Sequence, residues 1–156
     1  MGLPMAKNIL KSGFKLKAFN RSIEKAEPLK EFGAEVSKSI SDVVKDSDFI
    51  ITMLTDDSAV DAITSSTDFL DNLKSGSTVI DMSSVKPTTA IKHRENLKSK
   101  NVNYLDAPVS GGTIGAEEAS LAIMVGGEQS VFDNTEKILK AMGNPTIDGP
   151  DGSGQV

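Results

Sequence analysis

The sequence predicts a doubly wound α/β domain with a mainly parallel sheet. Three observations predict it. Short runs such as Phe49-Ile50-Ile51-Thr52-Met53-Leu54 are apolar on both faces, as strands covered on two sides must be. Amphipathic stretches with helical spacing separate these runs. The two kinds of segment alternate along most of the 156 residues, a length that suits one domain with its own core.

The elements follow in order. A helix opens the chain from Leu3 to about Ser12, with Leu3, Ala6, Ile9 and Leu10 on one face. Leu16–Asn20 reads as a short strand and Phe49–Leu54 as a fully buried one. Asp56 or Asp57 can cap the helix running towards Ile63, because a carboxylate there accepts first-turn amides. Thr78–Met82 is the next strand. Pro87 occupies a first-turn position, and Ala90, Ile91, Arg94 and Leu97 give its helix a poorer apolar face. Val102–Leu105 and Leu121–Val125 read as further strands in the same parallel style. Val131, Phe132, Thr135, Ile138, Leu139 and Met142 mark a last helix, after which the chain thins out into Gly, Pro and Asp.

Both ends are abrupt. A doubly wound domain normally begins with the strand that becomes the centre of its sheet. Here a helix comes first, and Gly152-Ser153-Gly154-Gln155-Val156 reads as the entrance to another element. The expectation is a fragment that lacks its first strand. Alone, such a chain would expose unpaired edges and be prone to aggregate or stay partly molten.

Composition excludes several functions. The absence of cysteine rules out disulfides, thiolate metal sites and a Cys nucleophile, and a cytoplasmic setting is the simplest reading. A net charge of -5 with interleaved signs, one Tyr, six Phe and no Trp argue against a nucleic-acid partner. No apolar run is long enough for a bilayer and no signal peptide is visible, so no membrane association is expected. No cluster has metal-ligand spacing.

The chemistry concentrates in Asp106-Ala107-Pro108-Val109-Ser110-Gly111-Gly112. Ser110 Oγ and two unobstructed glycine N–H groups at one point can hold a carboxylate or alkoxide. A ligand-free glycine turn has the same composition, so position must decide. No Gly-x-Ser-x-Gly elbow and no base beside Ser110 are apparent, which sets aside a hydrolase triad. Gly2, before the first helix, fits the last glycine of a dinucleotide fingerprint whose other two are missing. Asn20-Arg21-Ser22 lies where a ribose would be read. An acid there binds a 2′-hydroxyl, whereas Arg21, with Lys25 a turn later, suits a 2′-phosphate. An ordinary exposed Arg at a strand end reads the same way. Asp57, after Thr52-Met53-Leu54-Thr55, reads as a helix cap. Ser83, in Asp81-Met82-Ser83-Ser84, can bond a ribose or carboxamide, or merely form a turn. The single histidine, His93, lies among Lys92, Arg94 and Glu95 and reads as solvated.

Taken together, Met1-Gly2-Leu3-Pro4-Met5-Ala6-Lys7-Asn8, Asn20-Arg21-Ser22, Ile51-Thr52-Met53-Leu54, Asp81-Met82-Ser83-Ser84, Asp106–Gly112 and Met124-Val125-Gly126-Gly127 resemble the β-hydroxyacid dehydrogenases. That family includes 3-hydroxyisobutyrate dehydrogenase and the tartronate, glyoxylate and succinic semialdehyde reductases. The resemblance implies a Rossmann-type NAD(P)-binding domain at residues 1–150 and the start of an interdomain segment at 151–156. It implies hydride transfer between a nicotinamide and a small 3-hydroxy acid or its semialdehyde. Ser110, Gly111 and Gly112 would hold the substrate, with Ser110 also catalytic. Met1, Gly2, Asn20, Arg21, Ser22, Met53, Leu54 and Ser83 would line the cofactor, NADP by preference and NAD as the other choice. A general acid/base Lys follows the family pattern Gly-x-Gly-x-x-x-Lys; Gly152 and Gly154 fit the glycines, and the chain stops two residues short of the Lys. A C-terminal helical domain, absent here, would complete the pocket and the homo-oligomer. Ala119 departs from the glycine usual before the next strand. Two other readings remain: a non-catalytic dinucleotide-binding module, and an imine- or phosphorylated-sugar-acid-directed enzyme of the same superfamily.

Overall fold

A computed structural model describes residues 1–156. Helix α1 is Gly2–Lys11, and β1 (Lys17–Ala18) pairs in parallel with β2 (Glu35–Val36). Between them lie two 3-10 turns, Ile23–Lys25 and Glu27–Phe32. Helix α2 (Ile40–Val44) leads to β3 (Phe49–Thr52). Helices α3 (Asp57–Thr64) and α4 (Thr67–Leu70) precede β4 (Thr78–Asp81). Helix α5 (Pro87–Lys98) precedes β5 (Asn103–Asp106) and β6 (Val109–Ser110). Then come α6 (Gly112–Glu118), β7 (Leu121–Gly126), α7 (Gln129–Lys140), β8 (Gly143–Gly149) and a 3-10 turn, Ser153–Gln155.

The α/β architecture is as expected from the alternation of elements. β3, β4 and β5 are parallel, with Thr52, Asp81 and Asp106 in register at their ends. Both faces of β4 and β5 are covered, but the strand expected to be fully buried over Phe49–Leu54 is buried on one face only, with Phe49 and Ile51 half-buried at the side of the sheet that no further strand extends. Val79 and Tyr104 point into a core with Val60, Phe69 and Leu97, while Ile80 and Leu105 point the other way, towards Met5, Leu121, Phe132 and Leu139. Period-two alternation therefore puts apolar residues on both sides, and the strands read as continuous apolar runs.

Four further expectations need correction. β7 runs antiparallel to β5 and β6, not parallel to them. It is apolar enough for either direction, and only the short β6–α6–β7 connection sets its sense. The last helix is followed by a seven-residue strand, β8, parallel to β7. Its Gly-Asn-Pro-Thr-Ile-Asp-Gly sequence carries no strand signal; Pro145 is tolerated because β8 lies at the sheet edge. The strand expected over Leu16–Asn20 shrinks to two residues and pairs only with β2. No hydrogen-bonded strand joins that pair to the six-stranded sheet. Finally, His93 is not solvated: it is 2% exposed between α3 and α5. Its ring contacts Thr64 Oγ1 at 3.0 Å from Nδ1 and Asp61 Oδ1 at 2.9 Å from Nε2. Burial lowers its pKa, which the neighbouring Asp61 opposes.

Candidate active site

The carboxyl ends of β3, β4 and β5 carry a polar row in an otherwise apolar sheet. Thr52 Oγ1 donates to Asp81 Oδ1 at 2.8 Å, and Ser83 N–H donates to the same oxygen at 3.1 Å. Asp106, in register with Asp81, accepts from Gly152 N–H at 2.7 Å. Asp81 and Asp106 are 1% and 0% exposed, and burial pushes both carboxyls above their ordinary value. Asp81 Oδ2, Asp106 Oδ2 and the Tyr104 hydroxyl are buried without a hydrogen-bond partner in the chain. Both strand-terminal Asp residues stand within the motifs of the sequence, but nothing local to them marks their carboxyls as functional. The available signal was the recurrence of Asp immediately after a buried apolar run, Thr78–Ile80 and Tyr104-Leu105.

The strand β5 continues through Pro108 into β6, which carries Ser110 out to solvent. Gly111 and Gly112 have φ of +139° and +62°, a region that L side chains rarely occupy. A Cβ at Gly111 would also stand 3.2 Å from Leu121 Cδ2. This double turn leads directly from Ser110, the last residue of β6, through Gly111 into the start of α6. The helix has no side-chain cap, and its first-turn amides have no acceptor within it. Ala119 closes α6 in the left-handed region at φ 56° and ψ 39°, where glycine costs least. Asn8 from α1 donates to Ala116 O at 2.7 Å and so docks the two helices together.

The other expected site residues divide in two. Met1 and Gly2 form the exposed start of α1, which also lacks a side-chain cap, and Gly2 faces Met53, whose Cβ would lie 4.0 Å from a Cβ placed there. Asn20 Nδ2 donates to Ser22 O at 2.9 Å, which shapes the turn after β1. Arg21 and Lys25 are exposed there and belong to none of the chain's ion pairs. By contrast, Ser83 is fully buried, its Oγ accepting from Leu54 N–H at 2.8 Å, so its hydroxyl ties β4 to β3. Leu54 packs into the core beneath, and Met53 is half-buried. Asp56, not Asp57, caps α3, accepting from Ala59 N–H at 2.9 Å. Asp57 instead reaches the start of α5. The Thr89 hydroxyl at 2.6 Å and Lys86 N–H at 3.0 Å hold its carboxyl below the ordinary value. No group of His, Cys, Asp and Glu side chains gathers to hold a metal, and no helix is long and apolar enough to cross a membrane.

Residues 1–149 match the family described as the NAD binding domain of 6-phosphogluconate dehydrogenase. The chain is similar to the uncharacterized oxidoreductase YkwC of Bacillus subtilis, 43% identical across 99% of this chain and 54% of the relative. It is 36% identical to the NAD-dependent L-serine dehydrogenase of Pseudomonas aeruginosa, across 100% of this chain and 53% of that protein. Among solved structures, it resembles Mycobacterium tuberculosis 3-hydroxyisobutyrate dehydrogenase with L-serine, at a TM-score of 0.95 and 33% identity. That likeness covers 99% of this chain and 53% of the other. The chain spans about half the length of the curated relatives it matches.

Proposed function

The chain belongs to the β-hydroxyacid dehydrogenase family of NAD(P)-linked oxidoreductases, and from that premise we propose that it is the nicotinamide-binding half of an NADP-preferring dehydrogenase acting on a small 3-hydroxy acid or its semialdehyde. The observation that carries the substrate assignment is that Ser110 is exposed and immediately precedes Gly111, the start of α6, which has no side-chain cap. A hydroxyl and free amides at one point suit a carboxylate better than a neutral or cationic group.

The residues present fit a dinucleotide. The uncapped α1 start at Met1 and Gly2 offers amides to a diphosphate, and Gly2 leaves the approach past Met53 open. Arg21 has a guanidinium free for a 2′-phosphate, and the Asn20 side chain holds its turn in shape through Ser22. Met53 and Leu54 present the end of β3 to the cofactor. Ser83 contributes indirectly, because its hydroxyl fixes the Leu54 backbone. Bound there, the nicotinamide supplies or accepts the hydride. Ser110 and the α6 amides then hold the substrate carboxylate so that its carbinol carbon is presented in one orientation. By the family resemblance the proton falls to a Lys that follows the two glycines matched by Gly152 and Gly154.

Oxidation of NADPH and NADH by the full-length protein, with glyoxylate and with succinic, tartronate and methylmalonate semialdehydes, tests the reading. Turnover with at least one substrate, faster with NADPH, is expected. Replacing Ser110 by Ala should lower kcat/KM about 10- to 100-fold, the worth of one hydrogen bond to a charged group. Tight dinucleotide binding without turnover of any substrate would instead mean a binding module.

A further inference from the structure

The segment after β8 is held at several points, all from the strand ends and helix around the candidate site. Asp106 Oδ1 accepts from Gly152 N–H at 2.7 Å. The same carboxyl fills space that side chains at 126 and 154 would need. A Cβ on Gly126 would stand 2.5 Å from Oδ1, and one on Gly154 2.8 Å from Oδ2. Arg94 of α5 pairs with Asp151 at 2.8 Å. Gln155 reaches back to the end of β4: its Oε1 accepts from Val85 N–H at 3.1 Å and its Nε2 donates to Ser83 O at 2.9 Å.

A buried carboxyl is a costly way to fill this space, since an apolar side chain would do so without desolvating a polar group. What the carboxyl adds is direction, because it accepts from one amide along a defined line. Gln155 does the same with two hydrogen bonds to backbone that Ser83 already ties to Leu54. Position of the segment, more than its stability, is what these contacts specify.

We infer that Asp106 and Gln155 are positioning residues that clamp Asp151–Gln155 to the ends of β4 and β5, and so set where the following chain delivers its acid/base to a substrate at Ser110. The consequence for catalysis rests on the dehydrogenase reading; the clamp itself does not.

Backbone amide hydrogen exchange and steady-state kinetics on the full-length protein test both parts, with Asp106→Ala, Asp106→Asn and Gln155→Ala. Asn keeps an acceptor for Gly152 N–H, and Gln155 is only half-buried, so its removal leaves the core intact. Exchange across Asp151–Gln155 should speed up about tenfold or more in both Ala variants, stay within about threefold in Asp106→Asn, and leave α7 unchanged. In the same two Ala variants kcat should fall about tenfold or more with cofactor Kd within about twofold. If Asp106→Ala loosens α7 as well, Gln155→Ala decides. Unchanged exchange in Gln155→Ala overturns the clamp, and faster exchange with unchanged kcat overturns its role in positioning. A wild-type protein that turns over none of the substrates yet shows the exchange response supports the clamp and overturns the dehydrogenase reading.

Discussion

β1 and β2 pair over two residues each and are at best half-buried, whereas β4 is hydrogen-bonded to β3 and β5 and buried throughout. The polar groups they carry differ in the same way. Arg21 and Lys25, after β1, have no ion-pair partner, while Asp81 and Asp106, at the ends of β4 and β5, and Ser83, just after β4, are buried and tied to backbone amides. The difference matches what the proposed function would ask of each end. A cation reaching for a phosphate gains from staying solvated and adjustable, because charge attraction tolerates imprecise geometry. Groups that set the distance between reacting atoms must be immobile, because a small displacement costs a large factor in rate.

The largest effect expected from this contrast is on stability. Leu121 is fully buried beneath Gly111 and Gly115, and Leu121→Ala should cost about 3 kcal/mol in chemical denaturation. Val36→Ala in β2 should cost less than about 1 kcal/mol, since that side chain is only half-buried. Equal losses would erase the distinction between the two sheets. Next in size is Arg21→Ala, which should weaken NADPH binding by about 10- to 100-fold in fluorescence titrations and NADH binding by less than about threefold. An equal loss for both nucleotides would remove Arg21 as the reader of a 2′-phosphate.

Two smaller effects sharpen the picture within the rigid half. Ala119 pays for a left-handed backbone at the end of α6, so Ala119→Gly should raise stability by about 0.5–1 kcal/mol, seen as a higher Tm. The last concerns pH. His93 has a folded pKa below its ordinary 6.5, so the unfolded chain binds the proton more readily. Its contribution to stability is complete above about pH 6.5 and is lost as pH falls through the lowered folded value. Asp81 and Asp106 act in the opposite sense: their folded values lie above 3.8, so the stability they lend in acid is lost as pH rises through that range. His93→Gln should therefore flatten the slope of stability on the acid side of neutrality relative to the parent, in denaturation measured at a series of pH values. An unchanged slope would mean that the buried ring does not titrate there.

Much of the rigid half was legible in the residues. Thr78–Asp81 and Tyr104–Asp106 announce themselves because burial on both faces demands continuous apolar side chains, whereas Phe49–Thr52 reads the same way although only Ile50 and Thr52 are buried. The helix face of Val131, Phe132, Thr135, Ile138 and Leu139 is buried as its spacing predicts. What was not legible depends on partners distant in sequence. β8 exists because it pairs with β7, not because Gly143–Gly149 favours extension. His93 sits among charged neighbours in sequence and yet is buried, because α3 supplies Thr64 and Asp61 from about thirty residues away. At the candidate site, the Ser110-Gly111-Gly112 turn was evident from composition, but the carboxyls of Asp81 and Asp106 and the contacts of Gln155 were not.

The sequence by itself determined the local choices: which segments are apolar on one face or two, where Gly111 and Gly112 let the backbone turn, and which hydroxyls and cations stand at strand ends. Those choices depend on each residue's own volume, polarity and backbone freedom. Only the tertiary structure decided the sense of β7, the pairing of β8, the burial of His93 and the convergence of Asp106, Arg94 and Gln155 on Asp151–Gln155. Those outcomes depend on free energies of pairing and desolvation that arise only when distant segments meet.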